Sequence, residues 1–114
     1  MNSFQKSFLR GLGQRLRPTI RVGKKSLDEG FIRELQLMLD QQELVKVKFA
    51  AHKEEKKELS QRMAEEVDAE VVGMIGHNVL LYKEHPDPEK RHIRLPKGRD
   101  DKSPATEEGS NGDF

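Results

Sequence analysis

Three stretches of the chain place apolar residues at the spacing of one helix face. Their apolar positions are Phe4, Phe8, Leu9 and Leu12, then Phe31, Ile32, Leu35, Met38 and Leu39, and finally Leu59, Met63 and Val67. We expect the first helix to begin at the capping residue Ser3 and to stop at Gly11 and Gly13. The second should run to about Gln41, and the third should span about 54–68. The large apolar side chains on these helices, Phe4, Phe8, Met38 and Met63 among them, are interpreted as core filler.

The start of the second helix has two candidate caps. Ser26 with Glu29 three positions later forms a capping-box pattern, whereas Asp28 stands closer to the apolar stripe. Asp28 is the favoured cap.

Other stretches alternate with the period of a strand. These are residues 19–22, 43–50, 71–75 and 79–82, and the last two are joined by a hairpin turn at Gly76, His77 and Asn78. Within residues 43–50 the apolar side chains fall on one face of the strand, and Lys46 and Lys48 fall on the other face. This pattern predicts a basic outer surface. A further short strand over 91–96 is expected at a sheet edge, because Pro96 cannot donate to a ladder.

The composition limits the chain to one domain with a modest core. It has 114 residues, 33% hydrophobic and 36% charged, with no cysteine and no apolar run long enough to span a bilayer. Residues 1–96 are predicted to form the domain and 97–114, which are poor in apolar residues, a disordered acidic tail. We expect a cytoplasmic monomer that does not bind membranes.

Charge is distributed unevenly behind a net charge of +1. Residues 1–25 hold seven basic side chains and no acidic one, which is the electrostatic footprint of a protein that binds a polyanion. Within this segment, residues 23–26 read Gly-Lys-Lys-Ser and join a strand to a helix start, where a glycine and two lysines suit a phosphate. The candidate RNA-binding residues are therefore Gly23, Lys24, Lys25, Ser26, Arg21, Arg17, Arg15 and Arg10, together with Lys46 and Lys48.

The spacing of histidine and acidic residues in the sequence does not indicate a catalytic or metal site. His77, His85 and His92, with Asp87 or Glu89 nearby, lie in a turn, a loop and an edge strand, without the i, i+4 pair of a hydrolytic metal site. We expect no enzyme, cofactor, metal ion or small-molecule substrate. With 5% aromatic residues and no tryptophan, recognition by base stacking is also disfavoured.

The order and spacing of several motifs resemble those of a known family. Residues 12–18 lead into Ile-Arg-Val-Gly-Lys at 20–24, followed by Leu-Val-Lys-Val-Lys at 44–48, Ile-Gly at 75–76, Leu-Leu-Tyr at 80–82 and Leu-Pro at 95–96. Over residues 9–96 the chain resembles the CRM domain, the chloroplast RNA-splicing and ribosome-maturation module, in its free-standing bacterial YhbY form. One position departs from the family, whose RNA loop reads Gly-x-x-Gly, because Ser26 replaces the second glycine.

The resemblance implies a fold and a function. The fold is an α/β domain of the two-layer α+β kind, with about three helices packed on a four-stranded mixed sheet, similar to the C-terminal domain of a bacterial translation initiation factor. The function is non-catalytic binding of ribosomal RNA in the pre-ribosomal large subunit, in support of ribosome assembly. Two alternatives stay open, an RNA-binding factor in translation or RNA metabolism and a protein-interaction module that uses the acidic third helix.

Overall fold

The computed structural model describes residues 1–97, in which the chain forms three α-helices and four strands. In order they are α1 (Ser3–Gly13), β1 (Ile20–Val22), α2 (Glu29–Gln42), β2 (Leu44–Phe49), α3 (Lys56–Val67), β3 (Glu70–Ile75) and β4 (Asn78–Tyr82). Short 3-10 turns span Lys53–Glu55 and Pro88–Lys90. The predicted tail, from residue 98 onward, lies outside the described residues. No helix in the described part has the length and apolar character needed to cross a membrane.

The strands form one mixed sheet in the order β1-β2-β4-β3. β1 runs parallel to β2, with Val22 opposite Phe49, whereas β4 runs antiparallel to both β2 and β3. Because Asn78 at the start of β4 pairs with Lys48 near the end of β2, three loops meet at one end of the sheet. We call this the loop end, and it consists of residues 23–26 after β1, 50–55 after β2 and the 76–77 turn before β4.

Apolar side chains cover both faces of the sheet. The larger cluster lies beneath α2 and α3 and includes Leu35, Leu39, Val47, Phe49 and Met63. The smaller cluster lies on the opposite face of the sheet, against which the segments before β1 and after β4 pack. Its buried residues are Leu9, Leu44, Val72, Leu80 and Tyr82. The predicted fold, three helices on a four-stranded mixed sheet, is confirmed. The two-layer description holds for α2 and α3, and α1 adds a partial layer on the second face.

The helix starts follow side-chain capping. Asp28 caps α2, as expected, by accepting a hydrogen bond from the Phe31 N–H at 2.9 Å. The predicted cap Ser3 of α1 is wrong by one residue, because Asn2 and Gln5 form a reciprocal capping box. Of the two glycines expected to stop α1, Gly11 lies within the helix and Gly13 is its last residue. Gly13 packs so closely on Leu80 that a Cβ there would collide with that side chain.

The prediction that Phe4 and Phe8 fill the core is wrong. They are 47% and 39% exposed, because Leu9 is the side chain of α1 that points into the smaller cluster. Met63 is buried, as expected, and Met38 is half-buried at the edge of the larger cluster.

Residues 91–96 do not form the predicted strand. Their backbone is bound by a side chain, because the carboxylate of Glu43 accepts the N–H groups of His92 at 2.6 Å and Ile93 at 2.9 Å. The other oxygen of Glu43 accepts the His85 N–H at 2.8 Å. Glu43, which is fully buried, therefore replaces a strand ladder as the anchor of the C-terminal segment.

Candidate nucleic-acid interface

The Gly-Lys-Lys-Ser loop forms a tight turn at the loop end. The Ser26 N–H donates to the Gly23 carbonyl at 2.9 Å, so the two lysines occupy the central positions of a β-turn. Both lysines are exposed, and within residues 1–97 their backbone N–H groups find no acceptor. The turn therefore offers two ammonium groups and two free amide donors to an anion.

Gly23 leaves open space in front of this turn. Its φ lies outside the left-handed region, and a Cβ built on it would meet no atom within 4 Å. Neither backbone conformation nor internal packing thus requires glycine at this position. A side chain there would instead project into the open surface in front of the turn.

Ser26 adopts the conformation for which its glycine counterpart is suited. Its φ is 59°, in the left-handed region that costs an L-residue about 1–2 kcal/mol. The loop therefore has a left-handed backbone at the position of the missing glycine, although Ser26 carries a Cβ.

The start of α2 contributes less to anion binding than the sequence suggested. Asp28 already accepts one of the free N–H groups of the first turn, and Glu29 adds a second negative charge there. Attraction for a phosphate at this loop consequently depends on the lysines and the turn amides.

Hydrogen bonds connect the loop to its neighbours at the loop end. The carbonyl of Lys24 contacts Nε2 of His52 at 2.9 Å, and His52 has a left-handed φ of 55°. The N–H groups of Ala50 and Ala51 both donate to the Val22 carbonyl, at 3.0 and 3.1 Å. The segment after β2 is thereby fixed against residues 23–26.

The predicted basic residues divide into three groups. Arg21 and Lys48 are register partners on adjacent strands, and both are exposed near the loop end. Arg15 and Arg17 are exposed in the segment that precedes β1. Arg10 lies at the opposite edge of the sheet, where it crosses Gly73 and donates to the Val72 carbonyl at 3.1 Å.

Lys46 does not belong to a basic surface. It is 7% exposed, and its ammonium group donates to the Leu16 carbonyl at 2.9 Å. The prediction that Lys46 and Lys48 share an exposed face is therefore wrong, because the chain before β1 covers Lys46. Its charge holds that segment against β2.

The loop end also gathers basic residues that the sequence did not single out. Lys56 of α3 donates to the Gly76 carbonyl at 2.7 Å and lies 3.3 Å from Nδ1 of His77. Lys53 is exposed on the preceding turn. In the sequence these lysines alternate with Glu54, Glu55 and Glu58, so no local excess of positive charge marked them.

Few of these charges are neutralised within the protein. Among residues 1–97, the ion pairs are Lys6–Glu70, Arg33–Glu29, His52–Glu55 and Arg91–Glu84. None of them involves Arg21, Lys24, Lys25, Lys48, Lys53 or Lys56. In the same part of the chain, no group of three or more histidine and acidic side chains is placed to hold a metal ion. The arrangement is thus chemically suited to binding a polyanion.

Comparisons with known proteins find similar chains in several bacteria. A model of the CRS1 / YhbY (CRM) domain family matches residues 1–83. An "RNA-binding protein" of Haemophilus influenzae is 36% identical over 98 residues, which cover 85% of this chain and 96% of the relative. The "probable RNA-binding protein" YqeI of Bacillus subtilis is 31% identical over 93 residues, or 81% of this chain and 95% of the relative. The solution structure of a hypothetical protein from Staphylococcus aureus matches with a TM-score of 0.72 and 30% identity, covering 84% of this chain and 99% of that one.

Proposed function

This chain belongs to the CRS1/YhbY (CRM) domain family, and from that premise we propose that it is a non-catalytic RNA-binding protein. The proposed RNA contacts are residues 23–26 together with the exposed arginines and lysine on β1, β2 and the segment before β1. Arg10 is a peripheral contact, and Lys46 is a structural residue outside the interface.

The observation that carries this proposal is the uncompensated charge at the loop end. Arg21, Lys24, Lys25 and Lys48 are exposed and form no ion pair within residues 1–97, although the chain contains twenty acidic residues. When basic side chains neutralise the phosphates of a nucleic acid, cations condensed on those phosphates are released, and the entropy of this release supplies much of the affinity of proteins for nucleic acid. The open surface in front of Gly23 lets a phosphate reach the turn amides.

The recognition mode follows from the kinds of side chain present. The loop end presents ammonium, guanidinium and amide donors, which match phosphate oxygens. A structured RNA is therefore read mainly through its backbone and shape. We further propose that this RNA is ribosomal RNA of the large subunit during assembly in the cytoplasm, and that the protein acts as a monomer.

The first test replaces both loop lysines, as Lys24→Ala/Lys25→Ala. Affinity for large-subunit ribosomal RNA, measured by filter binding, should weaken by about 1–3 kcal/mol because two charge-assisted contacts are lost. The free energy of unfolding should change by less than about 0.5 kcal/mol, since both side chains are exposed. Gly23→Val should also weaken binding without unfolding the protein, because its side chain enters open space.

The matched control is Lys90→Ala/Arg94→Ala, which removes two exposed charges from the segment after β4. If this control weakens binding as much as Lys24→Ala/Lys25→Ala, net charge and not the loop governs binding, and the proposed interface is wrong.

The ribosomal target is tested separately by crosslinking in cells and sequencing of the bound RNA. Recovery mainly of large-subunit ribosomal RNA supports the proposal. A dominant messenger or transfer RNA signal would instead favour a factor in translation or RNA metabolism.

A further inference from the structure

A second cluster of donors lies at the loop end, around the start of α3 and the 76–77 turn. Lys56 at the start of α3 donates to the Gly76 carbonyl at 2.7 Å and approaches the ring of His77 at 3.3 Å. The His77 carbonyl accepts the Phe49 N–H at 2.8 Å, which fixes the 76–77 turn against β2. Lys53 is exposed on the 3-10 turn that leads into α3.

The two lysines of this cluster form no ion pair within residues 1–97, although Glu54, Glu55 and Glu58 stand beside them in the sequence. Glu54 and Glu55 are the adjacent carboxylates, yet Glu55 approaches His52 at 3.8 Å, and Glu54 forms no ion pair within residues 1–97. Neither Lys53 nor Lys56 has a carboxylate within 4.0 Å in that part of the chain. The ammonium of Lys56, then desolvation and the charge of Lys53, lower the pKa of His77.

The two clusters lie within reach of a single nucleic-acid strand. Residues 23–26 follow β1, the 76–77 turn precedes β4, and β2 alone separates these strands. Neighbouring strands are about 4.8 Å apart, so the end of β1 and the start of β4 are separated by about 10 Å. His52, bonded to the Lys24 carbonyl, belongs to the segment that bridges the gap.

We propose that Lys53, Lys56 and His77 form a second phosphate subsite, which rests on the RNA binding proposed above. One RNA backbone then crosses the loop end from residues 23–26, over His52, to the 76–77 turn. The ammonium groups of Lys53 and Lys56 neutralise a second phosphate, and the N–H that the neutral His77 ring retains donates to its oxygens.

The decisive variant is Lys53→Ala, because this amine has no partner in the described residues and its loss leaves the fold intact. Binding of a fluorescein-labelled RNA hairpin is followed by anisotropy over a range of salt concentrations. We expect affinity about three- to tenfold weaker at about 0.15 M salt and a log–log salt slope smaller by about one. Lys53→Ala/Lys56→Ala should weaken binding further, with thermal unfolding recorded because Lys56 also bonds to the Gly76 carbonyl.

Comparison with two other variants separates the possible outcomes. Lys90→Ala/Arg94→Ala should bind close to the parent, while Lys24→Ala/Lys25→Ala should lose affinity. If the loop variant loses affinity but Lys53→Ala and folded Lys53→Ala/Lys56→Ala keep the parent affinity and salt slope, the second subsite is wrong and the first stands. If the parent protein shows no salt-dependent binding to the hairpin, RNA binding itself is wrong.

Discussion

Glycine is used in loops for its small size and for its tolerance of a positive φ. In this loop Gly23 has the small size, and Ser26 has the positive φ. Gly23 has an ordinary backbone conformation and an empty surface where a side chain would stand, so its small size serves the approach of a ligand. Ser26 has the left-handed φ that favours glycine but carries a side chain. The loop therefore combines a glycine at an open surface with a left-handed residue that is not glycine.

Substitutions at Ser26 should show this left-handed strain in the free energy of unfolding. Ser26→Gly should change stability by less than about 0.5 kcal/mol, because relief of about 1 kcal/mol offsets the greater freedom of glycine in the unfolded chain. Ser26→Val should destabilise by about 1–2 kcal/mol more than Ser26→Gly, since a β-branched residue is least tolerant of positive φ. Urea denaturation measures both.

Ser26→Gly should also bind RNA at least as tightly as the parent, because the turn keeps its amides.

Equal stability of the valine and glycine variants would show that Ser26 does not hold a left-handed conformation in solution.

At the scale of elements, a buried carboxylate positions the segment after β4. Glu43 follows α2 with a φ of 68° and accepts three backbone N–H groups of residues 85–93. Burial alone would raise the pKa of Glu43, but the hydrogen bonds from His85, Ile93 and His92 outweigh it and hold the pKa below its ordinary value of 4.5. The ionised form is therefore the one that the fold binds.

Glu43→Gln should destabilise the protein by about 2–4 kcal/mol at pH 7, because one amide oxygen replaces a carboxylate that accepts three N–H groups. A depressed pKa in the folded state adds stability above the unfolded-state pKa, and this stability is lost as pH falls through the folded-state pKa. The parent should thus lose stability on acidification from pH 7 to below about pH 4, and Glu43→Gln should lose less. Urea denaturation at both pH values measures the difference.

The control for this prediction is Glu89→Gln, an exposed carboxylate in the same segment. It should unfold like the parent at both pH values. If Glu43→Gln keeps the full acid sensitivity of the parent, other carboxylates are responsible and the role assigned to Glu43 is wrong.

For the whole molecule, opposite charges occupy different regions. Residues 1–25 contain basic and no acidic side chains, whereas residues 100–114 contain five acidic residues and one basic residue. The last contacts of the described chain tie it to α1 and the smaller cluster, through the Gln5 side-chain bond to the Pro96 carbonyl at 3.0 Å and the packing of Leu95. We propose that the folded RNA-binding domain ends at Pro96.

Removal of residues 97–114 should then leave thermal unfolding unchanged, because the segment offers little apolar surface for burial. Affinity for RNA should be equal or slightly higher, since acidic residues compete weakly with phosphates for the basic surface. Calorimetry and anisotropy on the shortened chain measure both quantities. A marked loss of stability or affinity would show that these residues belong to the domain.

The sequence by itself determined the features that depend on neighbours in the chain. The spacing of apolar residues along the chain predicted all three helices and the four strands of the sheet, because each element must present an apolar face to the core. The Asp28 cap and the Gly-Lys-Lys-Ser turn were likewise set by residues within one turn of each other.

The tertiary structure decided which residues lie together. Lys46 and Lys48 occupy equivalent positions in an alternating strand, yet the segment that carries Leu16 buries one and leaves the other exposed. Glu43 lies 42 to 50 residues from the N–H groups that it accepts. Lys53 and Lys56 stand among glutamates in the sequence, and sheet topology places the segment that carries them at the same end of the sheet as residues 23–26. Such contacts depend on the packing of distant segments, which local spacing does not encode.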